Sequence, residues 1–182
     1  MKNEVVDEEL HDTIHRAKQG DQEAFAALIT RYKGHVYRYA FGMLGNRMDA
    51  EDAAQEAFIK AYYALAKLDN EYAFSSWIIR IVANVCKDRL GKRAKINELE
   101  SMEEQDEAKV ADMRAPDTLE QLTLAEGLSR LSAEHREILV LHEIQGYSYE
   151  EIAVIIEVPV GTVKSRLHAA RMGLRRELRR ED

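Results

Sequence analysis

Cysteine is almost absent: Cys86 is the only one in 182 residues. That excludes a disulfide framework or a cysteine zinc site and leaves a buried structural thiol as its reading. Two prolines and nine glycines are too few for a turn-rich β architecture, and the β-branched residues are scattered rather than alternating, so an all-α fold is expected. Purely apolar runs reach only a few residues, as at Ile152–Ile156, so no membrane insertion is expected. Residues 1–10 are acidic and lack the apolar stretch of a secretory signal, which makes the cytoplasm the expected compartment. Catalytic signatures are missing as well. There is no H-E-x-x-H, no Walker loop and no nucleophile elbow. Glu8 and His11 form one E-x-x-H where a di-iron bundle needs two, on an N-terminus expected to fray. No enzyme, catalytic residue, metal ligand or cofactor is expected.

Net positive charge is also lacking, since the chain carries −7 overall, but the acidity is local. Residues 1–95 hold 15 basic and 14 acidic side chains, residues 96–117 hold two and eight, and residues 118–182 hold nine and eleven. Two short windows run against the total. Arg80 to Lys95 has six cations against Asp88, and Lys164 to Arg180 has seven against Glu177. Two separated basic patches on an acidic chain predict phosphate contact at two points, with weak overall attraction to DNA and a need for a partner.

The stretch 148–176 is the most informative. Ser148 and Glu151 make a capping box, and Ile152, Ile155 and Ile156 recur at helical spacing. Pro159 marks a turn and pre-sets the start of a second helix. Val163, Leu167, Ala170 and Leu174 line one face of that helix. Lys164, Ser165, His168 and Arg175 lie opposite, with Arg171 on the flank. This is the pattern of a helix-turn-helix that offers a cationic face to the major groove, although solvation of a basic helix fits the same residues.

Other elements follow from their caps. Asp21 predicts a helix to about Leu44, lined inward by Phe25, Leu28, Ile29, Tyr32, Val36, Tyr39 and Met43 and ended by Gly45-Asn46. A second helix is expected from near Asp49 to about Leu65 and a third from about Ser75 to Arg93, after a loop around Leu68 to Ala73. Beyond the acidic stretch, Thr118 and Gln121 form a capping pair for a helix to about Arg130, and Ser132 caps another that Gly146 ends. Two small helical domains result, an N-terminal bundle at 1–95 and a four-helix unit at 118–182. The flexible acidic linker 96–117 ends near Pro116 and reads on its own as a solvated tether.

Two bundle helices carry further patterns. Ala50, Ala54, Ala57, Phe58, Ala61 and Leu65 give the second helix a small-residue packing side. Asp49, Asp52 and Glu56, with Gln55 adjacent, form a carboxylate face that suits a basic partner or plain solvation. In the third helix Trp77, Ile78, Ile81, Val82 and Val85 make a core face, leaving Arg80, Asn84, Lys87 and Arg89 around it. Aromatics beside cations suit unstacked bases, and Trp77 suits a core anchor equally.

Taken together, D-A-E-D-A-A-Q-E-A-F-I-K-A-Y at 49–62, F-S-S-W-I-I-R-I-V-A-N at 74–84 and E-I-A-V-I-I-E-V-P-V-G-T-V-K-S-R-L-H-A-A-R at 151–171 resemble bacterial sigma factors of the extracytoplasmic-function group, over about residues 10–178. The resemblance implies promoter-specific transcription initiation, in an envelope or stress response. Asp49, Asp52, Gln55 and Glu56 would bind the β′ clamp helices of core RNA polymerase, and the β flap is a further implied partner. The loop before Phe74 would take a flipped promoter base, with Phe74, Trp77, Arg80, Asn84, Lys87 and Arg89 near the −10 strand. Thr162, Lys164, Ser165, His168, Arg171 and Arg175 would meet the −35 element, and the linker would thread toward the RNA path. An anti-sigma factor, able to hold the protein at a membrane, is the remaining implied partner. Glu157 departs from the small residue or glycine that the family often has before the turn, so an altered turn is expected. The alternative is a helix-turn-helix regulator that binds duplex DNA without polymerase, in which the carboxylate face has no purpose.

Overall fold

The computed structural model describes the backbone of residues 2–103 and 119–179, with side chains over 8–96 and 124–179. Every regular element among these residues is helical: α1 (Lys2–Lys18), α2 (Gln22–Leu44), α3 (Arg47–Ala64), α4 (Phe74–Glu103), α5 (Leu119–Ser129), α6 (Ala133–Leu139), α7 (Tyr149–Ile156) and α8 (Val160–Leu178). Two 3-10 turns, Leu65–Lys67 and Glu71–Ala73, join α3 to α4, and α6 runs on as a π turn over Val140–Ile144.

Local chemistry sets most boundaries. Asp21 Oδ1 accepts from the amides of Glu23 and Ala24 at 3.0 and 3.1 Å to start α2, and Gly45 ends it at φ 76°. Asn46 caps α3 by accepting from Asp49 N at 2.8 Å, so the helix begins two residues before the expected Asp49. Ser132 caps α6, and both bonds of the Ser148–Glu151 capping box are made.

Two expectations need correction. The N-terminus does not fray at His11: α1 buries Ile14 and Ala17 against the bundle. Helix α4 passes through Gly91 and Lys95 to Glu103, beyond the expected end at Arg93 and into the expected linker. Gly91, at a cost of about 1 kcal/mol, does not break it, and residues 91–96 are exposed as it runs on past a packed face that lies earlier in the helix. Phe74 and Ile78 are buried on that face, as are Val82 and Val85. The Thr118–Gln121 capping pair and residues 104–117 of the linker lie outside the described residues.

Helices α2, α3 and α4 form the N-terminal core. Ala50, Ala53, Ala54, Ala57 and Ala61 let α3 lie close, and Tyr39 of α2 is fully buried. In the C-terminal unit α5, α6, α7 and α8 close around Ile138, Leu141, Ile152, Val163 and Leu167.

The two units also pack on one another. At the centre of this seam Val140 meets α2 at Gly42, where a Cβ would stand 2.7 Å from Val140 Cγ2. Around it Arg136 donates to Met43 O at 2.6 Å and to Leu128 O at 2.8 Å, and Gln145 Nε2 donates to His35 O at 2.9 Å. Buried Glu137 accepts from Tyr39 Oη at 3.0 Å and pairs with Lys87 Nζ at 3.1 Å. Gly42→Ala should gain helix propensity within α2 yet overpack the seam by about 1–3 kcal/mol. Helix content is expected to hold while the radius from small-angle scattering grows. An unchanged radius would show that the seam tolerates the methyl group.

Candidate functional site

The expected polymerase face lies on α3, and the structure divides it. Asp52 and Gln55 are exposed. Asp49 is half-buried and already paired with Arg93 of α4, and it accepts from the Asn46 amide. Glu56 is held at 3.0 Å by both Lys60 and Arg89. Those two bonds, Lys60 first, pull its carboxyl below the usual value. Alongside sits an apolar hollow of about 420 Å³ lined by Phe25, Ile29, Gln55, Phe58, Ile59, Tyr62 and Tyr63. Ile59 is 51% exposed and Tyr63 78%, so the charged residues border a large exposed apolar patch. The sequence reading passed over Ile59, Tyr62 and Tyr63. Its available signal was I-K-A-Y-Y, bulky residues on a helix whose core side is already filled by alanines.

The expected −10 set is less uniform than the sequence reading had it. Phe74 is 1% exposed and packs edge-on against Tyr32, ring centres 5.0 Å apart, so it is a core residue that cannot touch a strand here. Trp77 is half-buried beside it, 5.6 Å between centres. Arg89 points to Glu56 rather than outward, because that carboxylate lies across the α3–α4 contact. Asn84 is exposed. Arg80 and Lys87 reach across the seam. Arg80 Nη2 donates to Val154 O of α7 at 2.5 Å, its Nη1 pairs with Glu157 at 3.1 Å, and Lys87 meets Glu137. Ser75 Oγ and Tyr147 Oη share a 3.1 Å bond on the same edge. The helix-turn-helix unit therefore covers part of this face.

The expected −35 set is gathered on one side of α8. Lys164, Ser165, His168, Arg171 and Arg175 are exposed and Thr162 is half-buried at the helix start, while Val163, Leu167 and Ala170 are buried behind them. Leu174 is half-buried against the same core. Lys164 Nζ lies 5.8 Å from the centre of the Tyr149 ring. Arg171 gives Glu143 a two-pronged contact at 2.8 and 2.7 Å. Before this helix, Glu157 takes φ 57° and ψ 47°, a left-handed conformation that glycine would adopt freely. The turn tolerates Glu157 at a conformational cost, and its carboxylate is the one that holds Arg80.

Among the described residues, no helix is long and apolar enough to cross a membrane, and no cluster of His, Cys, Asp and Glu could hold a metal ion. Cys86 is buried, and burial pushes its thiol up to about 12.

Comparison with known proteins agrees with this layout. Residues 28–96 match the model of Sigma-70 region 2, and residues 121–174 match Sigma-70, region 4. The chain is 36% identical to the ECF RNA polymerase sigma factor SigW of Bacillus subtilis strain 168, over 91% of this chain and 95% of that one. It belongs to the extracytoplasmic-function sigma factors. Members of this family direct transcription initiation without chemistry of their own. A second relative is the ECF RNA polymerase sigma-E factor of Escherichia coli K12, 34% identical over 94% of this chain and 93% of that one. In fold, this sigma factor is similar to CnrH solved in complex with the cytosolic domain of CnrY, with TM-score 0.74 and 25% identity over 95% of this chain and 99% of that one.

Arg171 meets Glu143 at an exposed surface, where such pairs contribute only about 0.2–1 kcal/mol. Glu143→Gln should therefore release Arg171 and tighten duplex binding by about two- to five-fold at low salt, a gain that shrinks as salt rises. Titration of a labelled duplex at several salt concentrations checks this. Equal affinities for the two proteins at low salt would mean that Arg171 takes no phosphate.

Proposed function

We propose that this sigma factor engages core RNA polymerase through α3 and reads a promoter at two places, with residues 1–95 serving the −10 element, 118–182 the −35 element and 96–117 the span between. The observation that carries the polymerase assignment is the exposed pair Asp52 and Gln55 beside the hollow formed by Phe58, Ile59, Tyr62 and Tyr63. A rim charge next to apolar anchors is what an interface with a basic partner requires, the first steering encounter and the second supplying most of the affinity.

Asp49 and Glu56, already neutralised by Arg93 and Arg89, have a different role in this reading: they fix α3 against α4. For promoter contact the exposed residues of α8 read the −35 element. Arg171 and Lys164 hold phosphates, which position the helix without specifying sequence. On the −10 side, Trp77, Arg80, Asn84 and Lys87 face the strand once α7 has moved aside. Phe74 supports that surface from within. The structural relative CnrH was solved with the cytosolic domain of a second protein, CnrY, which supports control of this chain by a bound protein partner, in this reading an anti-sigma factor. Such control accords with a cytoplasmic protein that is held at a membrane until released.

Transcription from genomic DNA by core polymerase with the purified chain tests the reading. Discrete new start sites are expected with both proteins present and none with either alone. Tight duplex binding that core does not improve would favour a free-standing regulator. Asp52→Lys places a cation against a basic partner and should weaken core binding at least about ten-fold with an unchanged melting temperature. Glu56→Lys should lose stability as well, because it strands Arg89 and Lys60. Core binding by Asp52→Lys equal to wild type would remove α3 from the interface.

A further inference from the structure

We infer that Lys18 is a positioning residue for promoter melting, acting as a strut from α1 to the loop between α3 and α4. The inference rests on the sigma-factor reading, and within it on the role that the resemblance implies for that loop, the taking of a flipped base.

The geometry is convergent. His11, His15 and Lys18 follow at i, i+4 and i+7 on α1, and all three meet Glu71. Lys18 Nζ donates to Leu68 O at 2.6 Å and to Glu71 Oε1 at 2.7 Å, so one ammonium grips the loop at two points three residues apart. His15 Nδ1 and His11 Nε2 stand 3.8 and 3.9 Å from the Glu71 carboxylate, and the His11 ring lies 5.1 Å from that of Tyr72. Within the gripped stretch, Asn70 Oδ1 accepts from Tyr72 N at 3.0 Å, and Leu68 is buried. Tyr72 itself is 75% exposed. It edges a cleft of about 330 Å³ shared with Ser75 and Ser76 of α4 and with Tyr147, Glu150, Glu151 and Val154. Two further contacts make α1 a firm support: Ile14 is 1% exposed, and Arg16 binds Asp21, the cap of α2, at 2.5 Å.

Extruding a base costs a few kcal/mol of stacking and pairing, so a loop that had to order itself at the same moment would add to that cost. A loop tied down beforehand adds nothing. The tie is also permanent at working pH. The Lys18 hydrogen bond is the main cause that holds the Glu71 carboxyl down at about 2. A depressed carboxyl contributes above its ordinary value near 4.5 and loses that contribution only as pH falls toward 2, so the strut stands across the neutral range.

The test uses the full chain with core polymerase and a fork-junction DNA taken from a promoter the holoenzyme transcribes, with its −10 strand single. A matched set carries an abasic site at each −10 position. Lys18→Ala should bind the intact fork about ten-fold more weakly, as expected for loss of a charge-assisted bond. Its deficit should vanish on the abasic fork that lacks the captured base, and Lys18→Arg should restore most of the loss. Affinity for core and for a −35 duplex should stay at the wild-type value. Should Lys18→Ala not fold, Glu71→Gln is put through the same comparison. A deficit that persists at equal size on every abasic fork, no deficit at all, or weakened core binding would each overturn the positioning role. Failure of the wild-type holoenzyme to bind any fork appears before a variant is made and overturns the reading of the loop itself.

Discussion

Across the seam, Glu137 is 5% exposed and meets two partners that lie far away in the chain, Tyr39 on α2 and Lys87 on α4. It is the one charged residue buried among the described residues, and the relation of the two units turns on it. An isolated carboxylate in such a place would cost several kcal/mol, so its site must supply a donor and a cation together. Burial first, and then the neighbouring charge of Glu137, push the Tyr39 phenol well above its ordinary value, which keeps the proton on the oxygen that donates. When the units separate, Glu137 regains water, which Lys87 never lost. The contact therefore fixes register more than it adds strength, while Val140 against Gly42 supplies the apolar part.

The same logic governs the surfaces. Carboxylates of this chain already occupy several of the cations that a nucleic acid would want: Glu157 on Arg80, Glu137 on Lys87, Glu143 on Arg171 and Glu56 on Arg89. These pairs leave the net charge of −7 as it is but occupy four of the cations, each carboxylate answering a cation on a neighbouring helix. The acid left facing outward on the proposed polymerase side is chiefly Asp52, with the exposed Ile59 and Tyr63 beside it.

Caps and stripes were legible in the sequence because they are decided within four residues: Asp21, Ser132, the Ser148–Glu151 box and the Val163-Leu167-Ala170 face all stand where local chemistry puts them. Helix α1 was not, since an acidic start hides the few residues, such as Ile14 and Ala17, by which it packs. The far end of α4 was not legible either, since no cap or breaker in the sequence marks where it stops between Arg93 and Glu103. Phe74 belongs to a motif that implies strand contact, but whether an aromatic points in or out depends on Tyr32, some forty residues earlier. The seam was invisible for the same reason. Tyr39 and Glu137 are 98 positions apart, and no periodicity links them.

These pairings bear on how an acidic chain would engage DNA on the proposed assignment. The ion pairs of Arg80 and Arg171 are partly exposed, and such pairs contribute at most about 1 kcal/mol each. Duplex phosphate offers the same cations a comparable contact and adds the release of condensed counterions. Alone, however, DNA must displace Glu157, Glu143 and Glu137 together and part the seam, while only two small surfaces gain contacts. A partner that binds α3 leaves those cations untouched and is not opposed by the seam. Once docked, it can hold the two units apart, so the carboxylates are displaced at one site at a time. The polar character of the seam is what makes that sequence affordable: a seam packed throughout like Gly42 on Val140 would keep the −10 face covered.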